Sequence, residues 1–458
     1  CASRADVEVR GVSCLGRCDV APAAAVDEAP VAAADVEVLL KAIDRAKAPH
    51  AEARLSPPPS RRWASDPYGD EASRYGVLAT VGVPAGLTAD AVITTLKASG
   101  LRGMGGAGFP TGTKWELVKK ELGDVKYVVC NADESEPGTF KDRVILDELP
   151  HLVIEGMAIA ARVVGAREGI VFIRHEYGPE ERRLAKAIQD ARARGVVGPG
   201  FDLRIAVSPG GYILGEETAL LECLEDGRGE PRNKPPFPGQ KGLFGKPTLI
   251  NNVETFSLVP IILKEGADAW RARGARGATG LKFIALSGDV ERPGVYQVPM
   301  GTTIGELVAM GGGVKGGRAV LAIAPGGASS NFLGPEAMEA PLDFQALAER
   351  GSMLGSGAVF VVAEGADLVD LATNLVAFFR NESCGKCVPC RVGSEKAVAI
   401  LEQAVRGNGS KRHLALLPQL GETLTETSIC GLGQVALNPF LSVQKRFPEL
   451  VAARFVED

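Results

Sequence analysis

The segment Ser383-Cys-Gly-Lys-Cys-Val-Pro-Cys-Arg391 places three cysteines three residues apart, and a fourth follows in Ser428-Ile-Cys-Gly-Leu432. The four cysteines are Cys384, Cys387, Cys390 and Cys430. A C-x2-C-x2-C run with a distant cysteine is a pattern that holds a [4Fe–4S] cluster. Zinc, the alternative metal, is more often bound by two ligand pairs, and cysteines that only pack would have apolar neighbours rather than Gly, Lys, Pro and Arg. The pattern therefore predicts an iron–sulfur cluster and a protein that transfers electrons.

The bulk composition predicts a multi-domain protein outside the nucleic-acid-binding and membrane-spanning classes. The 458 residues correspond to roughly three domains, and the formal charge of −5 favours neither nucleic acid nor an anionic membrane. No apolar run approaches the roughly 20 residues that a membrane helix requires. Four of the nine cysteines belong to the cluster pattern. Few are left for disulfides, so a reducing, cytoplasmic location is expected.

The order of apolar segments predicts an α/β architecture for the first half of the chain. Residues 1–50 and a linker, 51–90, which contains the run Pro57-Pro-Pro59, precede the first domain. Between 91 and 270 strand-like and helix-like segments alternate, which indicates a βαβ sheet with ligand-binding loops at the strand ends. The predicted strands are Val125–Cys130, Ile170–Ile173 and Leu203–Val207, and the predicted helices are 151–164, 178–194 and 214–225.

The second half of the chain has two regions with different predicted secondary structure. Residues 271–365 predict a small α+β module with a short helix near 303–310. Its predicted strands are Leu281–Leu286, Gly294–Val298, Ala319–Ala324 and Ala358–Ala363. Residues 366–458 are helical in pattern and carry the four cluster cysteines.

Polar loops in the α/β region carry the residue types that bind a flavin or a nucleotide. The run 102–110 holds four glycines before a helix start, so backbone amides and Lys114 can approach a phosphate. The acidic loop 130–138 follows a predicted strand and offers acceptors for ribityl or ribose hydroxyls: Asn131, Asp133, Glu134 and Glu136. Similar loops follow at 211–218 and 232–255. A glycine-rich loop alone is weak evidence, and a solvated turn is the plain alternative for the acidic loop, but together they favour a flavin pocket.

Together these segments resemble, in order and spacing, the NADH-binding 51 kDa flavoprotein family over residues 95–450. The family includes the F-type component of bacterial complex I and the diaphorase subunits of NAD-reducing hydrogenases and NAD-dependent formate dehydrogenases. The resemblance implies a Rossmann-like FMN-binding domain, a ubiquitin-like (SLBB) α+β domain and a C-terminal helical bundle with an iron–sulfur cluster. It also implies three cofactors: FMN, NAD(H) and a [4Fe–4S] cluster.

The resemblance implies a role for each matched position. Residues expected to bind FMN are Gly103, Gly105, Gly106, Lys114, Asn131, Asp133, Tyr212, Gly215, Glu216, Asn251 and Asn252. Residues expected around NAD(H) are Phe109, Phe237, Glu136, Glu217 and Lys234, and the expected cluster ligands are Cys384, Cys387, Cys390 and Cys430. No catalytic acid or base is expected, because the hydride passes directly to the flavin. The four histidines, Cys130 and Cys223 are interpreted as structural.

Two positions depart from the family pattern. The glycine loop has Met104 where an arginine is usual, which removes one cation near the flavin. Leu117 stands where a second adenine-stacking phenylalanine is common, which can weaken nucleotide binding. The carboxylates of Glu136 and Glu217 would repel the extra phosphate of NADP, so a preference for NAD is expected.

The N-terminal segment indicates which subfamily the chain resembles. The run Val12-Ser-Cys-Leu-Gly-Arg-Cys-Asp-Val-Ala-Pro-Ala23 resembles the second half of a thioredoxin-like [2Fe–2S] domain. The earlier cysteine pair of such a domain is missing, so the expectation is a partial domain without a [2Fe–2S] cluster. Formate dehydrogenase β subunits and hydrogenase diaphorase subunits carry such a domain, and Met104 is closer to the formate dehydrogenase pattern.

The prediction is therefore the diaphorase (β) subunit of a soluble NAD-dependent formate dehydrogenase. The alternatives are the corresponding hydrogenase subunit and the complex I subunit. Expected partners are a γ-type [2Fe–2S] thioredoxin-like subunit and a catalytic, molybdenum-containing formate dehydrogenase subunit, with neither nucleic acid nor direct membrane insertion. A different class, a non-catalytic scaffold that has lost flavin, would show gaps in the FMN loops, whereas nearly every matched position is filled.

Overall fold

A computed structural model describes residues 7–27, 29–32, 36–46 and 62–457. In those ranges the strands are, in chain order, β1 (Ala23–Val26), β2 (Ala29–Ala32), β3 (Tyr127–Ala132), β4 (Glu168–Arg174), β5 (Asp202–Ser208), β6 (Thr248–Asn252), β7 (Leu281–Gly288), β8 (Gly294–Pro299), β9 (Val320–Ala324), β10 (Ala358–Ala363), β11 (Gly409–Ser410) and β12 (Phe455–Val456). The α-helices are α1 (Val36–Ala46), α2 (Ala89–Ser99), α3 (Thr111–Lys120), α4 (Lys141–Glu148), α5 (Pro150–Val164), α6 (Gly178–Ala193), α7 (Glu217–Leu224), α8 (Pro238–Lys241), α9 (Val253–Glu265), α10 (Ala267–Arg271), α11 (Ile304–Met310), α12 (Phe344–Glu349), α13 (Leu368–Asn381), α14 (Val388–Val405), α15 (Lys411–Leu414), α16 (Leu417–Thr427), α17 (Gly431–Val435), α18 (Asn438–Arg446) and α19 (Pro448–Ala452). The 3-10 turns are Cys18–Val20, Leu78–Thr80, His175–Tyr177, Tyr212–Gly215, Leu243–Gly245, Lys315–Gly317 and Pro335–Glu339.

A parallel sheet with the strand order β5-β4-β3-β6 forms the first domain. Because successive strand residues point to opposite faces, Val128 and Cys130 face one core with α5 and α9, while Val129 joins a second core with α7. Helices on both faces explain why these strands are apolar throughout. At the carboxyl edge, Asn131 of β3 is paired in register with Asn252 of β6. The sheet therefore brings two of the predicted site residues side by side.

The predicted strands of this domain are present, displaced by up to two residues. Strand β6 was not predicted, because Thr248–Asn252 is short, follows Pro247 and ends in two asparagines. The predicted helices correspond to α5, α6 and α7, except that 212–215, which overlaps the start of the third, is a 3-10 turn before α7.

Helices α5 and α9 approach each other closely at Gly156, so a larger residue at this position should destabilise the protein. A Cβ atom there would lie 2.1 Å from the Phe256 carbonyl oxygen. Overpacking costs about 1–3 kcal/mol, which exceeds the roughly 1 kcal/mol that alanine gains over glycine in a helix. The melting temperature of Gly156→Ala should therefore fall. The matched control is Gly178→Ala, whose added Cβ lies 3.5 Å from the nearest atom. Its melting temperature should not fall. Equal melting temperatures for the two variants would contradict the close packing at Gly156.

A second, mixed sheet with the strand order β8-β7-β10-β9 forms the next domain. Strands β7 and β10 are parallel, whereas β8 and β9 pair antiparallel at the two edges. Helix α11 lies where the sequence predicts it, and a capping box between Thr303 and Glu306 fixes its start. The four predicted strands of the α+β module are confirmed.

The C-terminal part is a helical bundle with its own core. Helix α13 packs against α14 and α18, and α14 also contacts α16. Phe379, Leu401 and Phe440 are fully buried in this core. Cys390 lies in the first turn of α14, Cys384 and Cys387 precede that helix, and Cys430 precedes α17, so the bundle determines where those thiols lie.

Residues 62–88 differ from the predicted extended linker. Trp63, Tyr68, Tyr75 and Leu78 are buried. The Trp63 ring lies 5.0 Å from that of Phe283 in β7. The part of the linker that the structure describes is therefore packed against both sheet domains, because isolated aromatic residues in a Pro- and Arg-rich stretch supply apolar contact without any sequence periodicity.

The N-terminal segment folds onto the first domain. Strands β1 and β2 form an antiparallel hairpin, which is followed by α1. Arg17 pairs with Glu180 at 3.1 Å, and Arg143 pairs with Asp19 at 2.7 Å. Among the described residues, none of the helices is both long and apolar enough to span a bilayer.

Candidate cofactor site

The glycine loop closes on itself ahead of α3. The Gly103 amide donates to the Phe109 carbonyl (2.8 Å), and the Thr111 amide donates to the Leu101 carbonyl (2.9 Å). A Cβ atom at Gly105 would lie 3.0 Å from that of Asn252. The loop therefore packs against the carboxyl edge of the sheet and presents backbone at the start of a helix, as an anionic phosphate requires.

Asn131 and Asp133 meet the other loops at the end of β3. Asn131 Nδ2 donates to the Gly215 carbonyl at 2.7 Å, which joins the acidic loop to the 3-10 turn. Asp133 is buried, and burial raises the pKa of its carboxyl although Ser135 donates to it. Its second oxygen, Oδ2, has no hydrogen-bond partner among the described residues. A buried acceptor of this kind needs a donor, and a ribityl hydroxyl or a ring N–H of a flavin would supply one.

Glu134, which the sequence predicts to bind the cofactor, hydrogen-bonds to the start of the next helix. Its two carboxylate oxygens accept from the Asp142 amide (2.9 Å) and the Arg143 amide (3.1 Å) at the start of α4. The Tyr177 hydroxyl donates to the same carboxylate at 3.0 Å. These three donors bind the carboxylate, so Glu134 anchors the acidic loop to α4. Its contact with a cofactor stays a prediction.

Two lysines and two glutamates form a connected group beside the glycine loop. Lys114 Nζ contacts Glu217 at 3.4 Å and the Ile250 carbonyl at 3.0 Å. Lys234 Nζ lies 2.9 Å from Glu216 and 3.4 Å from Glu217. Burial raises the pKa of Glu217, but the two lysines outweigh burial and hold it below its ordinary value. The fold thus brings together four residues that were predicted from separate loops: Lys114, Glu216, Glu217 and Lys234.

Three apolar side chains near this group are exposed to solvent. Phe109, Leu117 and Phe237 have exposed fractions of 46%, 52% and 55%. Leu117 follows Lys114 by one helical turn, and Phe237 follows Lys234 by three residues. Exposed rings beside charged groups suit a flat aromatic ligand with phosphates. Met104, by contrast, is buried in the main core.

Glu136 connects the acidic loop to the second domain. Its Oε1 atom accepts from the Ser329 amide at 2.7 Å. Burial raises the pKa of Glu136 to about 7, in opposition to this hydrogen bond. The contact with the 327–329 loop was not predictable, because nothing in the sequence relates residues 193 positions apart.

A buried ionic network lies behind Asn252, and the sequence analysis missed it. Lys282 Nζ lies 2.5 Å from Glu254 and donates to the Ser356 carbonyl at 2.9 Å. Lys141 Nζ contacts the same Glu254 at 3.0 Å and Asp142 at 2.6 Å. Asp142 in turn accepts from Asn252 Nδ2. The network joins α4, α9 and β7, and it fixes the orientation of a predicted flavin ligand. Burial lowers the pKa of Lys282 to about 8.

The four predicted cluster cysteines lie at or shortly before the starts of α14 and α17. Cys387 is the residue before α14 and Cys390 lies in its first turn, while Cys430 directly precedes α17. Burial raises the pKa of Cys430 to about 11 and also raises that of Cys390. The N-terminus of α14 favours the thiolate form that a metal requires. In the described part of the chain no three ligand groups are arranged to hold a single ion. A cluster binds each thiolate to a different iron, so its ligands can stand farther apart.

Tyr212 lies between the two predicted cofactor regions. Its amide donates to the Glu382 carboxylate at 2.7 Å, and Glu382 is two residues before Cys384. Its ring lies 5.3 Å from Phe378 and 5.9 Å from Phe379 of α13. The turn that holds Gly215 therefore adjoins the cysteine segment. A flavin in the first domain and a cluster in the bundle would be neighbours.

The histidines have structural surroundings where they are described. His151 Nε2 lies 3.3 Å from Asp66 Oδ2, and burial lowers the pKa of this imidazole. His175 lies beside Glu176, and the His413 amide donates to the Ser410 hydroxyl, which caps α15. His50 lies outside the described residues.

Comparison with protein families gives three matches along the chain. Residues 96–261 match the Nuo51 FMN-binding domain, residues 283–330 match the SLBB domain, and residues 370–454 match the NADH-ubiquinone oxidoreductase-F iron-sulfur binding region. These ranges lie within the parallel-sheet domain, the mixed-sheet domain and the helical bundle, respectively.

Individual proteins are similar over most of the chain. The second F-type component of the NADH-quinone oxidoreductase of Rhizobium meliloti is 44% identical over 368 residues, which is 79% of this chain and 87% of that protein. The NADP-reducing hydrogenase component HndC of Solidesulfovibrio fructosivorans is 42% identical over 369 residues, 79% of this chain and 75% of its own. The solved structure of NAD+-reducing [NiFe]-hydrogenase in the air-oxidized state matches with a TM-score of 0.87 and 34% identity, covering 97% of this chain and 77% of that chain.

Proposed function

Because the chain belongs to the NADH-binding 51 kDa flavoprotein family, we propose that it is the diaphorase subunit of a cytoplasmic NAD-dependent formate dehydrogenase. The family brings with it an FMN-binding domain, NADH binding and a [4Fe–4S]-binding region, so the three expected cofactors are confirmed. The chain is accordingly an NAD-dependent flavin and iron–sulfur oxidoreductase subunit. The formate context is supported by Met104, whereas the C-L-G-R-C segment at Cys14–Cys18 supports a formate dehydrogenase and a hydrogenase equally.

The second candidate is the diaphorase subunit of an NAD-reducing hydrogenase. It is favoured by the solved hydrogenase structure, which matches 97% of this chain and therefore includes the N-terminal segment. The complex I subunit is the third candidate. All three share one chemistry and differ in the subunit that supplies or receives the electrons.

The residues at the sheet edge hold the flavin. The glycine loop and Lys114 would bind the phosphate, and Asn131 with the open Oδ2 atom of Asp133 would bind the ribityl chain and ring edge. When bound, FMN supplies the exchange between a two-electron hydride and single electrons. The protein contributes position and charge, and no side chain is assigned as acid or base.

The neighbouring charged and aromatic groups orient the nucleotide. Phe109 and Phe237 offer exposed rings for the adenine, while Glu217 and Lys234 lie where ribose and phosphates would follow. Cys384, Cys387, Cys390 and Cys430 are the proposed cluster ligands. The contacts of the Tyr212 turn with the bundle support a cluster that would lie next to the flavin, and electrons would then leave the first domain through the bundle.

Glu136 predicts a pH-dependent choice between NADH and NADPH. Its pKa of about 7 makes it a carboxylate above that pH, where it repels the 2′-phosphate of NADPH, and a neutral acid below it. The KM of NADPH relative to that of NADH should therefore fall several-fold between pH 8 and pH 6. Initial rates with both nucleotides test this, and Glu136→Gln should show a low ratio with little pH dependence. A ratio as high at pH 6 as at pH 8 would contradict the assignment.

Co-purification with partners decides between the candidates. A formate dehydrogenase should yield a molybdenum-containing subunit and a γ-type [2Fe–2S] subunit, and the complex should reduce NAD⁺ with formate. Reduction with hydrogen and a nickel-containing partner would support the hydrogenase instead. Activity with neither substrate, in a complex that includes membrane subunits, would support the complex I alternative.

A further inference from the structure

Two serine hydroxyls flank Cys390, and the described residues supply no oxygen acceptor for the proton of either one. Ser383 Oγ lies 3.3 Å from Cys390 Sγ and accepts from the Gly385 amide at 3.2 Å. Because that amide already donates to the Ser383 oxygen, the Ser383 hydroxyl proton is free to point at sulfur. A cysteine that ligates iron is a thiolate and has no proton to give, so the hydroxyl is the donor in this pair.

Ser428 occupies the other side of the same cysteine. Its side chain is buried, with 6% exposed, and its hydroxyl has no hydrogen-bond partner among the described residues. A Cβ atom added at Gly433 would lie 2.5 Å from Ser428 Oγ and 3.1 Å from Cys390 Cβ. The hydroxyl therefore shares the space beside Gly433 with Cys390. A buried hydroxyl without a partner is costly, which indicates that it donates to a group bound there.

We propose that the hydroxyls of Ser383 and Ser428 donate hydrogen bonds to the sulfur atoms of the iron–sulfur cluster and thereby raise its reduction potential. The inference rests on the proposed ligation of the cluster by Cys384, Cys387, Cys390 and Cys430. The two serines would set the reduction potential of the cluster without touching the flavin or the nucleotide.

The direction of the effect follows from charge. Reduction adds an electron that is shared with the sulfur atoms, so a donor aimed at sulfur stabilises the reduced form more than the oxidised form. Loss of a donor should therefore favour the oxidised form of the cluster and lower its reduction potential. We expect a change of about tenfold in the reduction equilibrium for each serine, which is about 59 mV for a one-electron couple.

The test is a redox titration of the full chain followed by electron paramagnetic resonance of the reduced cluster. Ser383→Ala and Ser428→Ala should each lower the midpoint potential by about this amount, with iron content unchanged. Ser383→Thr keeps the hydroxyl and should restore the potential. The matched control is Ser394→Ala: Ser394 is buried on α14, but its hydroxyl donates to the Cys390 backbone carbonyl at 2.6 Å and not to sulfur. Its potential should stay at the wild-type value.

The outcomes separate this inference from the proposed ligation. A full iron complement with an unshifted potential in both alanine variants would overturn the role of the serines and leave the ligation intact. A wild-type chain without iron would overturn both. If Ser383→Ala fails to assemble the cluster because Gly385 loses its acceptor, the shift in Ser428→Ala decides alone.

Discussion

Replacing Cys430 with serine should remove the iron–sulfur cluster and stop electron transfer out of the flavin, while NADH still bleaches the flavin. Cys430 is the one proposed ligand outside the 384–390 segment, so it closes the cage from α17. Without its thiolate one iron loses its protein ligand, and a cluster requires four. The flavin loops lie in the parallel-sheet domain and keep their contacts. We expect iron content near zero and loss of the broad iron–sulfur absorbance.

A control cysteine distinguishes ligand loss from general damage. Cys223 in α7 is partly buried and is not a proposed ligand. Cys223→Ser should keep both the cluster and its absorbance. A Cys430→Ser protein that retains a full complement of iron would contradict the assignment of the fourth ligand.

Replacing Glu254 with alanine should destabilise the protein strongly. The change removes the carboxylate partner of Lys282 and one of the two carboxylates that pair with Lys141. The side chains of Glu254, Lys282 and Lys141 are fully buried. Breaking a buried ion pair by removing one partner costs about 3–5 kcal/mol, because an uncompensated charge is left inside. The network also orients Asn252 through Asp142, so the variant should bind FMN more weakly.

Thermal unfolding and FMN retention measure this effect. The matched control is Asp190→Ala, which breaks the exposed pair between Lys186 and Asp190 on α6. Both side chains of that pair are more than half exposed, so its loss should change the stability little. A Glu254→Ala protein with the melting temperature of the Asp190→Ala protein would show that the buried network contributes little.

Much of the fold was predictable because apolar runs and residue spacing along the sequence indicate individual strands and helices. Apolar runs marked β3, β4 and β5, and the same signal marked the four strands of the mixed sheet. The cysteine spacing marked the cluster segment before any element was placed. By contrast, residues 62–88, which are packed against the domains, were interpreted as a linker. Isolated aromatic residues such as Trp63 and Tyr68 do not form a periodic apolar pattern.

The site was predictable by residue type but not by contact. Lys114, Glu217 and Lys234 were named from separate loops, and only the fold shows that they meet. The contacts of Glu134 with α4 were not predicted, because position within an acidic loop does not reveal which carboxylate caps the next helix. The pair between Glu254 and Lys282 joins two domains, and no local pattern signals a partner in another domain.

The most direct test of the central claim is an anaerobic titration of the purified chain with NADH, followed by its visible spectrum. We predict that the flavin band bleaches near stoichiometric NADH and that the broad iron–sulfur absorbance declines with it, since electrons pass from NADH through FMN to the cluster. A flavin that does not respond to NADH, or a chain that binds no flavin, would contradict this path and favour a non-catalytic scaffold.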